Sequence, residues 1–373
     1  MAFIDEVIAQ NRDTHQIGYV TDELLKVITT VSSQDNKEKC IHGFLDQYMA
    51  GVDLTLSFDN KLAFIYDEAI TVEIFLAIYT WFLRKSCNIT NIQFITTHTM
   101  GLAEWFTQYQ ILFGVIGFTV IEAPFHAPYV PEFVASLKGT DQVVTHKNLM
   151  YYFDYYGGTR NSIDKDFLVT VFASCNYPRY VDYKAGFIST IVEFDNYLEE
   201  ISGFCDREMC DRLIKCRSQL DFNYTNAPVD NQSRRVITAD FNQSINDRCG
   251  FHILRETYDT QPFLLVTEKT LKAFVQMQIP IPLGFNSVSR LETVGFKFDH
   301  TLVDYSYQQE PIFYKRMSKI INELNRLCNQ YSLNELAERI YNNKDILEHN
   351  YKYVKSGELV NILTQRLFKE LND

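Results

Sequence analysis

Apolar residues along this chain fall into short runs separated by longer amphipathic segments. Seven of the runs have strand length and are rich in β-branched and aromatic residues. They lie at residues 54–58, 62–66, 92–97, 118–121, 167–172, 251–254 and 279–283. Apolar residues at helical spacing predict helices between them at 67–84, 102–110 and 267–277. Alternating strands and helices are typical of parallel sheets covered by helices, so we expect an α/β fold.

The rest of the chain is mainly helical in pattern. Further helices are predicted at 1–50, 181–220, 314–328, 332–341 and 357–371. Ser332 and Glu335 have the spacing of a capping box at the start of one of them. The turn Asp59-Asn60 predicts a hairpin between the runs at 54–58 and 62–66.

The length of 373 residues suits two domains better than a single core. Paired glycines within the small, polar stretch 155–162 predict a linker. We therefore expect a first α/β domain at 1–158, a second at 159–330 and terminal helices at 331–373.

Composition excludes several classes of protein. The net charge of −12 opposes generic nucleic-acid binding. No glycine-rich dinucleotide fingerprint or Walker loop is present, so neither a redox nor a nucleotide-hydrolysing function is predicted. Asp164 and Asp166 have the spacing of a metal-binding Asp-x-Asp motif. They come before a predicted strand, whereas the residues that hold a nucleotide-bound metal are expected after one, so we predict no metal. The eight cysteines form no CxxC pair. No apolar run is long enough to cross a bilayer. We expect a cytoplasmic protein with no membrane partner.

The stretch 251–284 carries the clearest motif. A strand is followed by Arg255 and Glu256, then by the block Thr267-Glu268-Lys269 and an amphipathic helix, and a second strand ends at Gly284. The amino-terminal turn of a helix attracts anions, so a diphosphate could bind beside Lys269. The alternative is an ordinary capped surface helix, with Thr267 accepting from a backbone N–H two or three residues on.

This stretch resembles the donor-binding motif of family-10-type fucosyltransferases. The likeness lies in Thr267-Glu268-Lys269, the helix after it and the Ile279–Gly284 segment. A group of uncharacterised phage-type proteins is more similar still, with four shared segments in the last third of the chain. They are 267–270, 295–299, 305–307 and 347–350.

The resemblance implies two facing Rossmann-like domains, the GT-B type of glycosyltransferase, whose last helices cross back to the first domain. It implies a nucleoside-diphosphate sugar as donor substrate and no cofactor. Lys269 would face the diphosphate, Glu268 the ribose and Glu256 the sugar. Arg179, which loosely matches the phage-type group, would grip a phosphate.

Arg255 belongs to a cluster with Arg234, Arg235 and Arg248. This cluster can be a local groove for nucleic acid or the cationic wall of the nucleotide-sugar pocket, which we favour.

Catalytic candidates follow from the rule that ligands gather beyond the carboxyl ends of parallel strands. Asp67 and Glu68 follow one predicted strand, His98 the next and Glu122 a third. A carboxylate or imidazole there could take the proton of an acceptor hydroxyl. The alternatives are helix-cap acids and a structural histidine. The Gly-Glu-Asn segment of the fucosyltransferases has no counterpart here. His126 is expected on a loop, either at the interdomain cleft or as a loop cap.

We therefore predict a metal-independent glycosyltransferase that moves a sugar from a nucleotide sugar to an acceptor hydroxyl. The phage-type likeness suggests a 5-hydroxymethylpyrimidine in phage DNA as acceptor, so hydroxymethylated DNA is a candidate partner. A glycan or protein acceptor is the alternative for an enzyme. A non-catalytic nucleotide-sugar binder or a structural phage protein is the alternative outside enzymes.

Overall fold

The structure is a computed structural model in which part of the chain is described. The described residues are 15–20, 34–52, 54, 61–67, 70–85, 88–125, 130–137, 147–156, 179–182, 207, 211, 248–256 and 260–372.

Ten strands are described, numbered in chain order. They are β1 His15–Val20, β2 Lys61–Tyr66, β3 Ile92–Thr96, β4 Thr99–Met100, β5 Thr119–Glu122, β6 Tyr151–Tyr156, β7 Arg179–Asp182, β8 Cys249–Leu254, β9 Leu264–Leu265 and β10 Ile279–Pro282. The described α-helices are α1 Gln34–Tyr48, α2 Val72–Arg84, α3 Leu102–Phe113, α4 Val130–Ser136, α5 Glu268–Val275, α6 Ser287–Thr293, α7 Phe313–Gln330, α8 Leu333–Asn342, α9 Lys344–Lys355 and α10 Glu358–Asn372.

The chain divides into two compact units. Unit 1 comprises residues 1–132, 261–267 and 357–373, and unit 2 comprises residues 133–260 and 268–356. The sequence had predicted a division at 158/159. Strand β6 (Tyr151–Tyr156), which overlaps the predicted linker, is part of the sheet of unit 2. Residues 157–162 of that linker lie outside the described residues.

Each unit contains a four-stranded sheet whose described strands are all parallel. The order in unit 1 is β1-β2-β3-β5, and the order in unit 2 is β10-β8-β6-β7. A short antiparallel pair, β4 with β9, also belongs to unit 1. The expected α/β class is therefore confirmed.

Phenylalanine rings fill the core of unit 1. Phe94 of β3 stacks against Phe64 of β2 and Phe118, while Phe75 of α2 meets Phe94 and Phe106 edge-on. Edge-on and offset arrangements are the favourable ones for aromatic pairs. These rings account for several of the chain's 28 phenylalanines as core packing.

The amino-terminal part of unit 1 differs from the prediction in three ways. Residues 15–20, predicted helical, form the strand β1. Strand β2 has β1 and β3 as its neighbours, whereas the sequence predicted the segment 54–58 as its hairpin partner; residues 55–58 lie outside the described residues. Helix α2 begins at Val72 after the N-cap Thr71, five residues beyond the predicted start. The short strand at 15–20 was missed because so brief an apolar run gives little periodicity.

Several predicted elements lie where expected. Strands β3, β5, β8 and β10 and helices α3, α7, α8 and α10 overlap the predicted segments. Helix α8 begins with the predicted capping box between Ser332 and Glu335. The predicted strand at 167–172 lies outside the described residues. Of the helices predicted at 181–220, residues 181–182 belong instead to strand β7, residues 207 and 211 are helical, and the rest lies outside the described residues.

Two glycines give a direct test of the packing in this fold. Gly295 has a φ of +102°, and a methyl group there would lie 2.8 Å from the hydroxyl oxygen of Tyr353. That hydroxyl donates to the carbonyl of Val294 at 2.5 Å. Gly43, in the middle of α1, has no atom within 4 Å of the same position.

We expect Gly295→Ala to lower the free energy of unfolding by about 1–3 kcal/mol, because it forces a strained φ and a steric overlap. Gly43→Ala is the matched control and should raise the free energy of unfolding by about 0.5–1 kcal/mol, since alanine favours a helix. Chemical denaturation of the two variants measures both changes. Equal stabilities would contradict the described packing around Tyr353.

Candidate functional site

The carboxyl edge of the sheet in unit 1 collects the predicted catalytic residues. Asp67 directly follows β2, His98 follows β3 by two residues, and Glu122 is the last residue of β5. Tyr66 pairs with Thr96, and Thr96 pairs with Glu122, so the three strands end at the same level. Asp67 and His98 lie close together, with Oδ1 and Nδ1 3.8 Å apart.

A threonine that the sequence reasoning overlooked lies between these two residues. The Thr97 hydroxyl donates to Asp67 Oδ1 at 2.5 Å, and its oxygen lies 2.8 Å from His98 Nδ1. Thr97 is only 1 % exposed, and Asp67 and His98 are also buried. In the sequence, only the position of Thr97 between a strand end and a histidine could have indicated a role for it. Asp67, Thr97 and His98 are called the polar relay below.

Burial controls the charge of His98. Desolvation by burial lowers the pKa of this imidazole to about 4, from 6.5 for an ordinary histidine. The ring is therefore neutral near pH 7. A neutral imidazole can accept a proton, although the resulting cation needs a nearby negative charge inside the protein.

Glu122 makes contacts that position a helix. Its Oε1 accepts from the backbone N–H of Leu102 at 2.7 Å, and its Oε2 accepts from the N–H of Gly101 at 3.0 Å. Oε1 also accepts from the Thr99 hydroxyl at 3.2 Å. The carboxylate thus satisfies N–H groups at the start of α3 that have no partner within the helix. Its catalytic role stays a prediction.

Glu68 and His126, the other candidates of this unit, lie outside the described residues.

The sheet of unit 2 contains a reversal of strand order. From β6 the chain passes to β7 on one side, and later to β8 and β10 on the other. In open α/β sheets, ligands bind at the carboxyl ends of the strands next to such a reversal. Arg255 and Glu256 directly follow β8, one of the strands at this point.

Glu256 connects this strand end to the helix that carries Lys269. The carboxylate is only 3 % exposed, and its Oε1 accepts from the backbone N–H of Thr270 at 3.1 Å and from the Thr270 hydroxyl. Thr270 lies in the first turn of α5, so Glu256 holds that turn against the end of β8. Lys269 is half-buried in the same turn.

The structure describes the other residues that were predicted to bind the sugar donor less completely. Thr267 is buried just before α5, and Arg255 is half-buried. The side chain of Glu268 lies outside the described residues. Arg179 is the first residue of β7 and so begins a strand, whereas ligands of parallel sheets gather beyond the carboxyl ends of strands. Its side chain, like Arg234 and Arg235, also lies outside the described residues.

Two further properties concern the described residues only. Among them, no group of three or more His, Cys, Asp or Glu side chains is arranged to hold a metal ion. None of the described helices combines the length and apolar character that a membrane span requires.

No family model matches the chain, and no similar protein was found among the curated proteins or the solved structures. A functional assignment therefore depends on the residues and contacts described above, together with the resemblance of the 251–284 stretch.

The lowered pKa of His98 predicts how stability depends on pH. The unfolded chain binds the imidazole proton near pH 6.5 and the folded state only near pH 4, so acidification through this window destabilises the fold. The loss reaches roughly 3 kcal/mol for this group. His98→Asn keeps an N–H donor near the Nδ1 position but does not titrate. We expect its free energy of unfolding to fall less than that of the wild type between about pH 7 and pH 4. Parallel losses in both proteins would contradict the burial of His98.

The contact between Glu256 and Thr270 predicts a second effect on stability. Glu256→Ala leaves the Thr270 N–H buried without its acceptor, so the free energy of unfolding should fall by about 1–3 kcal/mol. Glu256→Gln keeps a carbonyl oxygen at the contact and should lose less. Glu338→Ala, which removes an exposed acid from α8, is the control and should change stability by less than about 0.5 kcal/mol. Chemical denaturation measures all three, and equal effects of Glu256→Ala and Glu338→Ala would refute the helix-holding role.

Proposed function

We propose that this chain is a nucleotide-sugar-dependent glycosyltransferase of the two-Rossmann-domain type. The observation that carries the proposal is the reversal of strand order beside β8. It marks the strand end at which Arg255 and Glu256 lie, and Glu256 holds the helical turn that carries Lys269. Part of the stretch that resembles the fucosyltransferase donor motif therefore lies at the kind of sheet edge where α/β proteins bind ligands, which supports the proposal.

The donor half of the proposed reaction depends on charge. A nucleoside diphosphate leaves with negative charge on its terminal phosphate, and a cation beside the amino terminus of a helix stabilises that charge. Lys269 is the cation of the proposed site, with Arg255 as a second positive group. Glu256 acts by orienting the helical turn, since its carboxylate is occupied by Thr270.

The acceptor half depends on the polar relay. The oxygen of an acceptor hydroxyl attacks the anomeric carbon of the donor sugar, while the bond from that carbon to the phosphate oxygen breaks. The acceptor proton passes to the His98 imidazole, and the nucleoside diphosphate leaves with the bonding electron pair. His98 is neutral near pH 7 because burial lowers its pKa to about 4, so the ring is in the state that accepts a proton.

We propose a hydroxymethylated pyrimidine in DNA as acceptor, on the basis of the likeness to phage-type proteins. Phosphate contacts with DNA require local positive charge, which the net charge of −12 does not supply in general. A basic surface near the relay would therefore be needed. A glycan or protein hydroxyl is the other acceptor to be tested.

The donor is tested by thermal shift with GDP-, UDP-, CDP- and ADP-sugars. A donor at about 100 times its Kd stabilises the folded state by about 2.7 kcal/mol, so one nucleotide should raise Tm clearly. Lys269→Ala should remove most of this shift, because a charged hydrogen bond contributes about 1.5–3 kcal/mol. Lys272→Ala, with the same change of charge one turn along α5, should keep it.

Turnover distinguishes an enzyme from a binding protein. An enzyme should slowly release nucleoside diphosphate from the stabilising sugar, and release should accelerate when hydroxymethylated DNA or the correct glycan is added. A binding protein would show the thermal shift without release. Absence of a shift with every nucleotide sugar would count against the proposed function.

A further inference from the structure

We infer that Thr97 is a positioning residue that fixes which ring nitrogen of His98 carries the proton. A threonine hydroxyl has a single proton to donate. The Thr97 hydroxyl donates it to Asp67 Oδ1 at 2.5 Å. The contact of 2.8 Å between the same oxygen and His98 Nδ1 must then use a proton on the ring nitrogen. His98 is therefore protonated on Nδ1.

Asp67 cannot fix the ring directly. Its Oδ1 lies 3.8 Å from His98 Nδ1, beyond the length of a hydrogen bond. The hydroxyl of Thr97 bridges this gap and carries the influence of the carboxylate to the imidazole. Because all three side chains are buried, water does not compete freely with these contacts.

The consequence concerns the second nitrogen of the ring. Protonation of Nδ1 in a neutral imidazole makes Nε2 the nitrogen with a lone pair. This step rests on the proposed function, in which Nε2 is the atom that receives the acceptor proton. The Asp67 carboxylate would then stabilise the imidazolium through the Thr97 oxygen. Thr97 acts through His98 and is not itself a catalytic residue.

A second buried histidine of unit 1 provides an internal comparison. Arg84 Nη1 lies 2.7 Å from His42 Nδ1, and a guanidinium can only donate, so this nitrogen carries no proton. The other nitrogen, Nε2, lies 2.9 Å from the carbonyl oxygen of Ala77 and must donate to it. His42 is therefore protonated on Nε2, the opposite form to that inferred for His98.

The inference is tested by ¹⁵N NMR of histidine-labelled full-length protein near neutral pH, where the protonated and unprotonated ring nitrogens have well-separated shifts. In the wild type, His98 should be protonated on Nδ1 and His42 on Nε2. Thr97→Val removes the hydroxyl at nearly constant shape and should shift His98 towards the Nε2-protonated form. Thr97→Ser should restore the wild-type pattern. Thr80→Val is the matched control, since Arg84 and Ala77 fix His42 without the Thr80 hydroxyl.

Protonation of His98 on Nε2 in the wild type would overturn the inference, and so would an unchanged His98 spectrum in Thr97→Val. If Thr97→Val does not fold, the wild-type and Thr97→Ser spectra still decide. The test needs no substrate, so it can succeed while the proposed function fails. Where transfer is measured, Thr97→Val should lower kcat by about 10²-fold with little change in the donor KM. Thr97→Ser should recover kcat, which a purely structural role of the methyl group would not explain.

Discussion

A carboxylate that holds the first turn of a helix is the interaction on which both units depend. Glu122 ends β5 and accepts from Gly101 and Leu102 at the start of α3. Glu256 follows β8 and accepts from Thr270 in the first turn of α5. The acids satisfy N–H groups that the helices cannot satisfy themselves, and their charge complements the helix dipole. Each contact fixes a helix start relative to the end of a parallel strand, and so fixes the edge of the sheet where ligands bind.

The same interaction limits what the edge of unit 2 can bind. The Glu256 carboxylate already occupies part of the anion-attracting turn of α5. An incoming diphosphate would gain little by displacing it, because Thr270 would exchange one charged acceptor for another. In the proposed site, the attraction would therefore come from the Lys269 ammonium and the Arg255 guanidinium, with Glu256 retained. A buried acid beside a cationic site also repels the donor's negative charge, which makes the lysine more important to the proposed binding.

Elements of the fold were more predictable from the sequence than contacts between residues far apart in the chain. The strand at 92–97 and the capping box at Ser332 were predictable, because local periodicity and spacing encode them. Asp67 was taken as the first residue of a helix, since an acid before an apolar run resembles a helix start. Its partner, Thr97, lies thirty residues away along the chain, and no local pattern records such a contact. The resemblance assigned Glu256 to the sugar, and no local pattern recorded its contact with Thr270, which exists only in the folded chain.

The protonation of the two buried histidines of unit 1 also depends on contacts that the sequence does not show. A sequence shows two imidazoles, but the contacts of the rings require opposite protonation, with Arg84 setting one and Thr97 the other. Burial alone makes His98 a weak base, since it disfavours the cation whichever nitrogen accepts the proton. A nearby carboxylate offsets part of that penalty through space, and a hydrogen-bonded path to one ring nitrogen also fixes which of the two nitrogens accepts the proton. In the proposed reaction, His98 therefore depends on Thr97 to present the unprotonated ring nitrogen to the acceptor hydroxyl.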